Sequence, residues 1–155
     1  MIFTALEDKT KIGYARVYGT STSRKAVDFL NRLVYLSHGD ITIIHSDNGS
    51  EFAGEFERAC QELHIQQVYS RARTPKDNPA LERFNWTVQD EWLSLSEVGL
   101  DEIPEANLDL TEWLIEYNNH RPHETLDYQT PLAYAYKDKV LPMTPASTTY
   151  CPVRV

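Results

Sequence analysis

ITIIHSDNGSEFAGEFERACQELHIQQVYS, residues 41–70, alternates in character three times over thirty residues. ITIIHSD (41–47) is an apolar run of strand length whose polar end lies at its C-terminal edge. Asn48-Gly49 supplies a turn, because both residue types accept tight-turn backbone at low cost. Phe52, Phe56, Ala59, Cys60 and Leu63 then recur at helical spacing and predict an amphipathic helix. IQQVYS (65–70) reads as a second strand.

Working outward, MIFTAL (1–6) and IGYARVY (12–18) are rich in β-branched and aromatic residues around the polar turn EDKTK, which predicts a hairpin. Ser21, Thr22 or Ser23 caps a helix with Ala26, Phe29, Leu30 and Leu33 on one face, ended by Gly39. On the other side, SRARTPKDNP (70–79) has two prolines and one apolar residue, Ala72, and predicts a surface loop. Asn78-Pro79 opens a helix as N-cap and first helical residue, with Leu81, Phe84, Val88, Trp92 and Leu95 along one side. A further helix spans about 107–119, with Leu110, Trp113, Leu114 and Tyr117 inward, and a short one lies near 131–137. The order ββαβαβ followed by helices predicts one α/β domain with a mixed sheet over residues 1–136, and an irregular C-terminal tail over 137–155.

Composition narrows the function classes. With 155 residues, 41% hydrophobic and 25% charged, the chain has an ordinary globular make-up, which excludes a disordered, collagen-like or disulfide-scaffold protein. No apolar run reaches the roughly 18–20 residues of a membrane helix, and the acid-bearing N-terminus does not read as a signal peptide. Cys60 and Cys151 form no metal-like spacing, so a cytoplasmic, reducing setting is expected. The net charge of −8 argues against a polyanionic partner until its distribution is read. Residues 1–83 hold eleven bases and eleven acids, whereas 84–120 hold nine acids and no Lys or Arg. One acidic block carries the excess, and the rest of the surface is free to meet nucleic acid.

Asp47 stands at the C-terminal end of a strand, the edge at which open α/β sheets bind ligands. An Asp before Asn-Gly is also an ordinary turn residue. Glu82 falls in the first turn of the helix opened by Pro79, between the apolar Leu81 and Phe84, at the rim of the buried face. A carboxylate there also serves as a helix-dipole partner. Arg71, Arg73 and Lys76 in the preceding loop, with Arg83, read as phosphate contacts or as a solvated basic surface. His45 is read as packed beside the site, and His120 and His123 as hydrogen-bonding residues that lock the last segment.

HSDNGSEF, then thirty-four residues between Asp47 and Glu82, then TPKDNPALERFN, resembles the catalytic core of retroviral-type integrases and insertion-sequence DDE transposases. WLIEYNNHRPHETLDYQTPLAY (113–134) is similar to the segment that closes this domain in bacterial transposases. The resemblance covers about residues 1–136. It implies an RNase H-like mixed sheet, DNA as partner, and DNA integration, recombination or transposition by Mg²⁺-dependent (or Mn²⁺-dependent) phosphoryl transfer. Asp47 and Glu82 would be the catalytic and metal-holding carboxylates, the metal being weakly bound. Arg71, Arg73, Lys76 and Arg83 would position the DNA backbone.

The family also has a first Asp, on a strand preceding the hairpin. Counting back from Asp47 passes Met1, so MIFTAL matches the family's second strand and an N-terminally truncated core is expected. Asp8, in the hairpin turn, is the upstream acid read as a candidate to take its place. Two functional classes follow: an enzyme complete only with a strand supplied from elsewhere, or a non-catalytic transposase remnant that binds DNA or a transposase subunit. The family's first strand is central in its sheet. Without it, the hairpin pairs directly with ITIIHS or the edges stay open, and exchange of the 1–18 hairpin would make a homodimer.

Overall fold

The computed structural model describes residues 1–69 and 79–137, together with the backbone of 152–154. The hairpin forms as the sequence predicts: β1 (Ile2–Glu7) runs antiparallel to β2 (Gly13–Val17), with Ile2 opposite Val17 and Leu6 opposite Gly13. Its turn is organised by a buried carboxylate. Glu7 accepts from the Lys9 N–H at 3.1 Å and from both the N–H and the hydroxyl of Thr10. These charge-assisted bonds offset the cost of burying the anion.

Helix α1 (Ser23–Leu36) is capped by Thr22, and Ala26, Phe29, Leu30 and Leu33 are buried as expected. Strand β3 (Ile43–Ser46) ends one residue before Asp47. The helix predicted from Phe52 to Leu63 is broken. Phe52 closes a 3₁₀ turn (Ser50–Phe52), Gly54 takes a left-handed φ of 61°, and α2 covers only Glu55–Glu62. Phe52 and Phe56 still meet edge-on at 5.2 Å, but Leu63 lies past the end of the helix and is exposed. Strand β4 (Gln66–Tyr69) pairs parallel to β3.

Helix α3 (Pro79–Thr87) passes into a π-helical turn, Val88–Leu93. The wider turn keeps Val88 and Trp92 buried but carries Leu95 off the apolar stripe, leaving it 75% exposed. Helix α4 (Ile103–Asn119) starts four residues before the predicted position, with Pro104 in its first turn, where a missing N–H costs nothing. Helix α5 is Pro131–Lys137.

In the sheet, the order is β2-β1-β5-β3-β4, where β5 is Pro152–Arg154. Most of the predicted irregular tail (138–151 and 155) lies outside the described residues, but this short piece of it is a central strand. It pairs antiparallel to β1 (Leu6 with Arg154, Glu7 with Val153) and parallel to β3 (Ile43 with Pro152, His45 with Arg154). Direct pairing of the hairpin with ITIIHS therefore does not occur. Pro at position 152 disguised the strand in the sequence, since proline ordinarily marks a strand start or edge.

The core lies on both faces of the sheet. Phe3, Ala5 and Ile44 pack with Phe29, Leu30, Phe52 and Phe56 under α1 and α2. Leu6, Ala15 and Val17 pack with Leu81, Phe84, Leu110 and Tyr117 under α3 and α4. Gly13 makes the second contact possible, because a β-carbon there would come within 2.5 Å of the Phe84 ring. Two amides of α4 close the outer edge of β2. Asn107 bonds the N–H and C=O of Val17 at 2.9 and 3.0 Å, and Asn118 bonds those of Gly13, both at 2.9 Å. Side-chain amides here replace the next strand, and β2 cannot template further pairing at those positions.

Candidate active site

Asp47 leaves the sheet at the C-terminal end of β3 with its carboxylate exposed. Its Oδ1 accepts the Gly49 N–H at 2.8 Å, which bears out the turn reading. One oxygen fixes the turn and orients the group. Glu51 approaches the same turn: a β-carbon at Gly49 would lie 2.7 Å from Glu51 Oε2 and 2.9 Å from Asp47 Oδ1. Glu51 Oε1 accepts the Ser21 hydroxyl at 3.1 Å. A side chain at 49 would therefore have to displace the ends of both carboxylates.

Glu82 is exposed in the first turn of α3, while Leu81 and Phe84 on either side are buried. What fixes the helix relative to Asp47 is a bond the sequence did not announce. Thr4 on β1 donates to Asn85 Oδ1 at 2.6 Å. Leu6 and His45 both sit opposite Arg154, so extending the register by two residues brings Thr4 level with Asp47. On β1, Thr4 and Leu6 point to the face covered by α3. Asn85 lies one helical turn beyond Glu82, so the Thr4–Asn85 bond sets α3 at the level of the sheet from which Asp47 emerges.

Asp8 belongs elsewhere. Glu7 and Ile44 both sit opposite Val153, so Asp8 is one step further, level with Ile43. That is four residues from Asp47 along β3, about 13 Å at the rise of a strand. Asp8 also lies 3.6 Å from Lys11 within the turn. It does not join Asp47.

Of the predicted basic residues, Arg83 is exposed on α3; Arg71, Arg73 and Lys76 lie outside the described residues. His45 is half-buried on β3. His120 Nδ1 meets Glu116 Oε2 at 2.8 Å, and the His123 backbone pairs with Gln129 while its ring stands edge-on to Tyr117 at 5.1 Å. Arg121 between them pairs with Glu91 and lies over the Tyr117 ring. Burial, reinforced by the Arg121 and Lys11 charges, holds the His123 pKa below its ordinary value. These contacts tie the end of α4 to the π turn. Cys60 is buried and its thiol is pushed up to about 11, by burial and then by Glu57, as expected of an inert core cysteine.

Two family models, each described as integrase core domain, match residues 1–75 and 63–131. The chain belongs to the integrase core domain family. It is 28% identical over 91 residues to the transposase for insertion sequence element IS904 of Lactococcus lactis subsp. lactis (strain IL1403), an alignment covering 57% of this chain and 35% of that transposase. The chain thus spans about a third of that relative's length. The fold of this integrase core matches solved retroviral cores. The catalytic core domain of BIV integrase aligns with a TM-score of 0.71 at 20% identity, over 90% of this chain and 87% of that one. The HTLV-2 integrase catalytic core domain, solved with magnesium in a trimeric form, aligns with a TM-score of 0.66 at 17% identity, over 86% and 82%. The mixed sheet is therefore RNase H-like, as the motifs implied.

Among the described residues, no three His, Cys, Asp or Glu side chains converge as a metal-holding group. In kind, the exposed carboxylates of Asp47 and Glu82 suit a hard divalent cation, which takes oxygen ligands. In number they are two. No helix among the described residues is long and apolar enough to cross a membrane.

Proposed function

We propose that this integrase core is the catalytic segment of a DNA transposase, with Asp47 and Glu82 holding Mg²⁺ or Mn²⁺. The observation that carries this reading is the Thr4–Asn85 bond, which sets the helix bearing Glu82 level with the strand end bearing Asp47. A bound divalent cation would stabilise the attacking and leaving oxygens of a displacement at phosphorus. The reaction class is attack on a DNA phosphodiester by water or a 3′-hydroxyl, with departure of a 3′-oxygen.

Within that scheme the chain's own residues orient and neutralise. The Gly49 N–H holds Asp47 Oδ1 and so fixes the carboxylate at the turn. Arg71, Arg73, Lys76 and Arg83 neutralise backbone phosphates without reading base sequence. The strand next to Asp47 is Pro152-Val153-Arg154, which carries no carboxylate. Among the described residues, β5 therefore brings no third anionic donor to the sheet centre beside Asp47. Groups that act as a unit lose most of their joint effect when one is missing, so the chain alone performs no strand transfer or end processing. The same strand supports the second reading, a non-catalytic transposase remnant that binds DNA or a transposase subunit.

The test is to incubate the purified chain with Mg²⁺ or Mn²⁺ and an oligonucleotide duplex, and to assay joining and DNA retention separately. DNA binding without joining is expected. Metal-dependent joining lost in Asp47→Asn would show that the chain is a complete enzyme, and absence of DNA binding would remove the reading altogether. Light scattering at micromolar concentration separates the homodimer of an exchanged hairpin, which has the mass of two chains, from a sheet closed within the chain by β5, which has the mass of one.

A further inference from the structure

Helix α3 and the start of the π turn show one face to solvent. Glu82, Arg83, Trp86 and Asp90 are exposed there, while Leu81, Phe84 and Val88 are buried. Trp86 lies in the middle of this face, 72% exposed. It stands one helical turn beyond Glu82, so the two β-carbons are about 5–6 Å apart.

The fold uses the other two tryptophans of the chain. Trp92 is buried, with its indole N–H donating to Asp109 at 2.8 Å, and Trp113 stacks on Tyr117 at 5.5 Å. Trp86 makes no hydrogen bond or ring contact among the described residues. Its neighbours decide what it can take. Arg83 offers a cation to a phosphate, whereas Glu82 and Asp90, one turn to either side of the indole, repel one. A DNA backbone therefore passes on the Arg83 side, and an uncharged flat ring fits over the indole. A nucleobase is such a ring, and its face is free only where the strands are open.

We propose that Trp86 is a stacking platform for an unpaired DNA base beside the phosphodiester held at Asp47 and Glu82. This rests on the reading of those two carboxylates as the DNA-reacting site. One turn of α3 spans between one and two nucleotide steps, which are about 3.4 Å each along a strand. The base that follows the held phosphate thus comes level with the indole. Every base has such a face, so stacking favours open over paired DNA without selecting a sequence.

The experiment measures, by fluorescence anisotropy with Mg²⁺ present, binding of the full chain to a paired oligonucleotide duplex and to the same duplex with unpaired bases at one end. The wild type is expected to bind the opened duplex at least about five-fold tighter. Trp86→Ala is expected to lose that preference and Trp86→Phe to keep most of it. A fluorescent purine analogue at the unpaired position is expected to be quenched by the wild type and not by Trp86→Ala. No preference in the wild type, its persistence in Trp86→Ala, or its equal loss in Trp86→Phe overturns the proposal and leaves the DNA reading standing. Failure to bind either duplex overturns that reading and the proposal with it. A smaller mass for Trp86→Ala than for the wild type by light scattering would assign the indole to a contact between copies, and would overturn the proposal alone.

Discussion

Single residues carry the site through their neighbours' backbones. The place of Asp47 in a turn at a strand end was legible from Asn-Gly, and that of Glu82 in the first turn of α3 from Pro79 and the apolar Leu81 and Phe84. Thr4 and Asn85 were not legible, because a hydroxyl on a strand and an amide on a helix have no sequence pattern that pairs them over 81 positions. His123 makes a prediction in pH. Its folded pKa is depressed, first by burial and then by Arg121 and Lys11, so the fold favours the neutral ring. The stability it contributes is fully present above the ordinary value of 6.5 and is lost as pH falls from there through the folded pKa. Thermal midpoints are expected to fall between pH 6.5 and 5, and His123→Gln should flatten that slope. Gly13 makes another. Gly13→Ala forces a β-carbon against Phe84 and Tyr117, and overpacking of this kind costs about 1–3 kcal/mol, measurable by urea denaturation.

At the scale of elements, the pattern of periodicity and apolar content located β1 to β3, α1 and α3 because each buries one face against a neighbour, and located β4, which has no fully buried residue. It failed where backbone geometry departs from a regular period. Gly54 splits the helix predicted from Phe52, and the π turn displaces Leu95. It missed β5 because three residues behind a proline have no period to read. It also missed the α4 clamp, although a signal existed. Asn107 and Asn118 stand on the face that carries Leu110, Leu114 and Tyr117, and a polar group on a buried face has to find a partner. Asn118→Ala leaves the Gly13 N–H and C=O without their bonds, and an unsatisfied buried group costs about 1–3 kcal/mol. Asn118→Asp is expected to be destabilising as well, since a carboxylate cannot donate to the Gly13 carbonyl. A variant of wild-type stability in both cases would mean that the amide does not guard the edge.

For the whole molecule, the charge excess of −8 misleads unless divided along the chain. The acids of 84–120 fall on the π turn, α4 and the segments around them, while the bases assigned to DNA flank the start of α3. If four cations meet phosphates, the log–log salt slope of DNA binding is expected to be about −3 to −4. Reversing the charges of Arg71 and Arg73 should reduce it by about two, and an unchanged slope would move the DNA surface elsewhere. The proposed function rests on one relation, that Asp47 and Glu82 hold one cation between them. Titration with Mn²⁺ by calorimetry tests this most directly. Two carboxylates in place of three leave less charge to offset dehydration of the cation. The account predicts binding no tighter than millimolar, abolished by Asp47→Asn and by Glu82→Gln alike; micromolar binding indifferent to either change would contradict it.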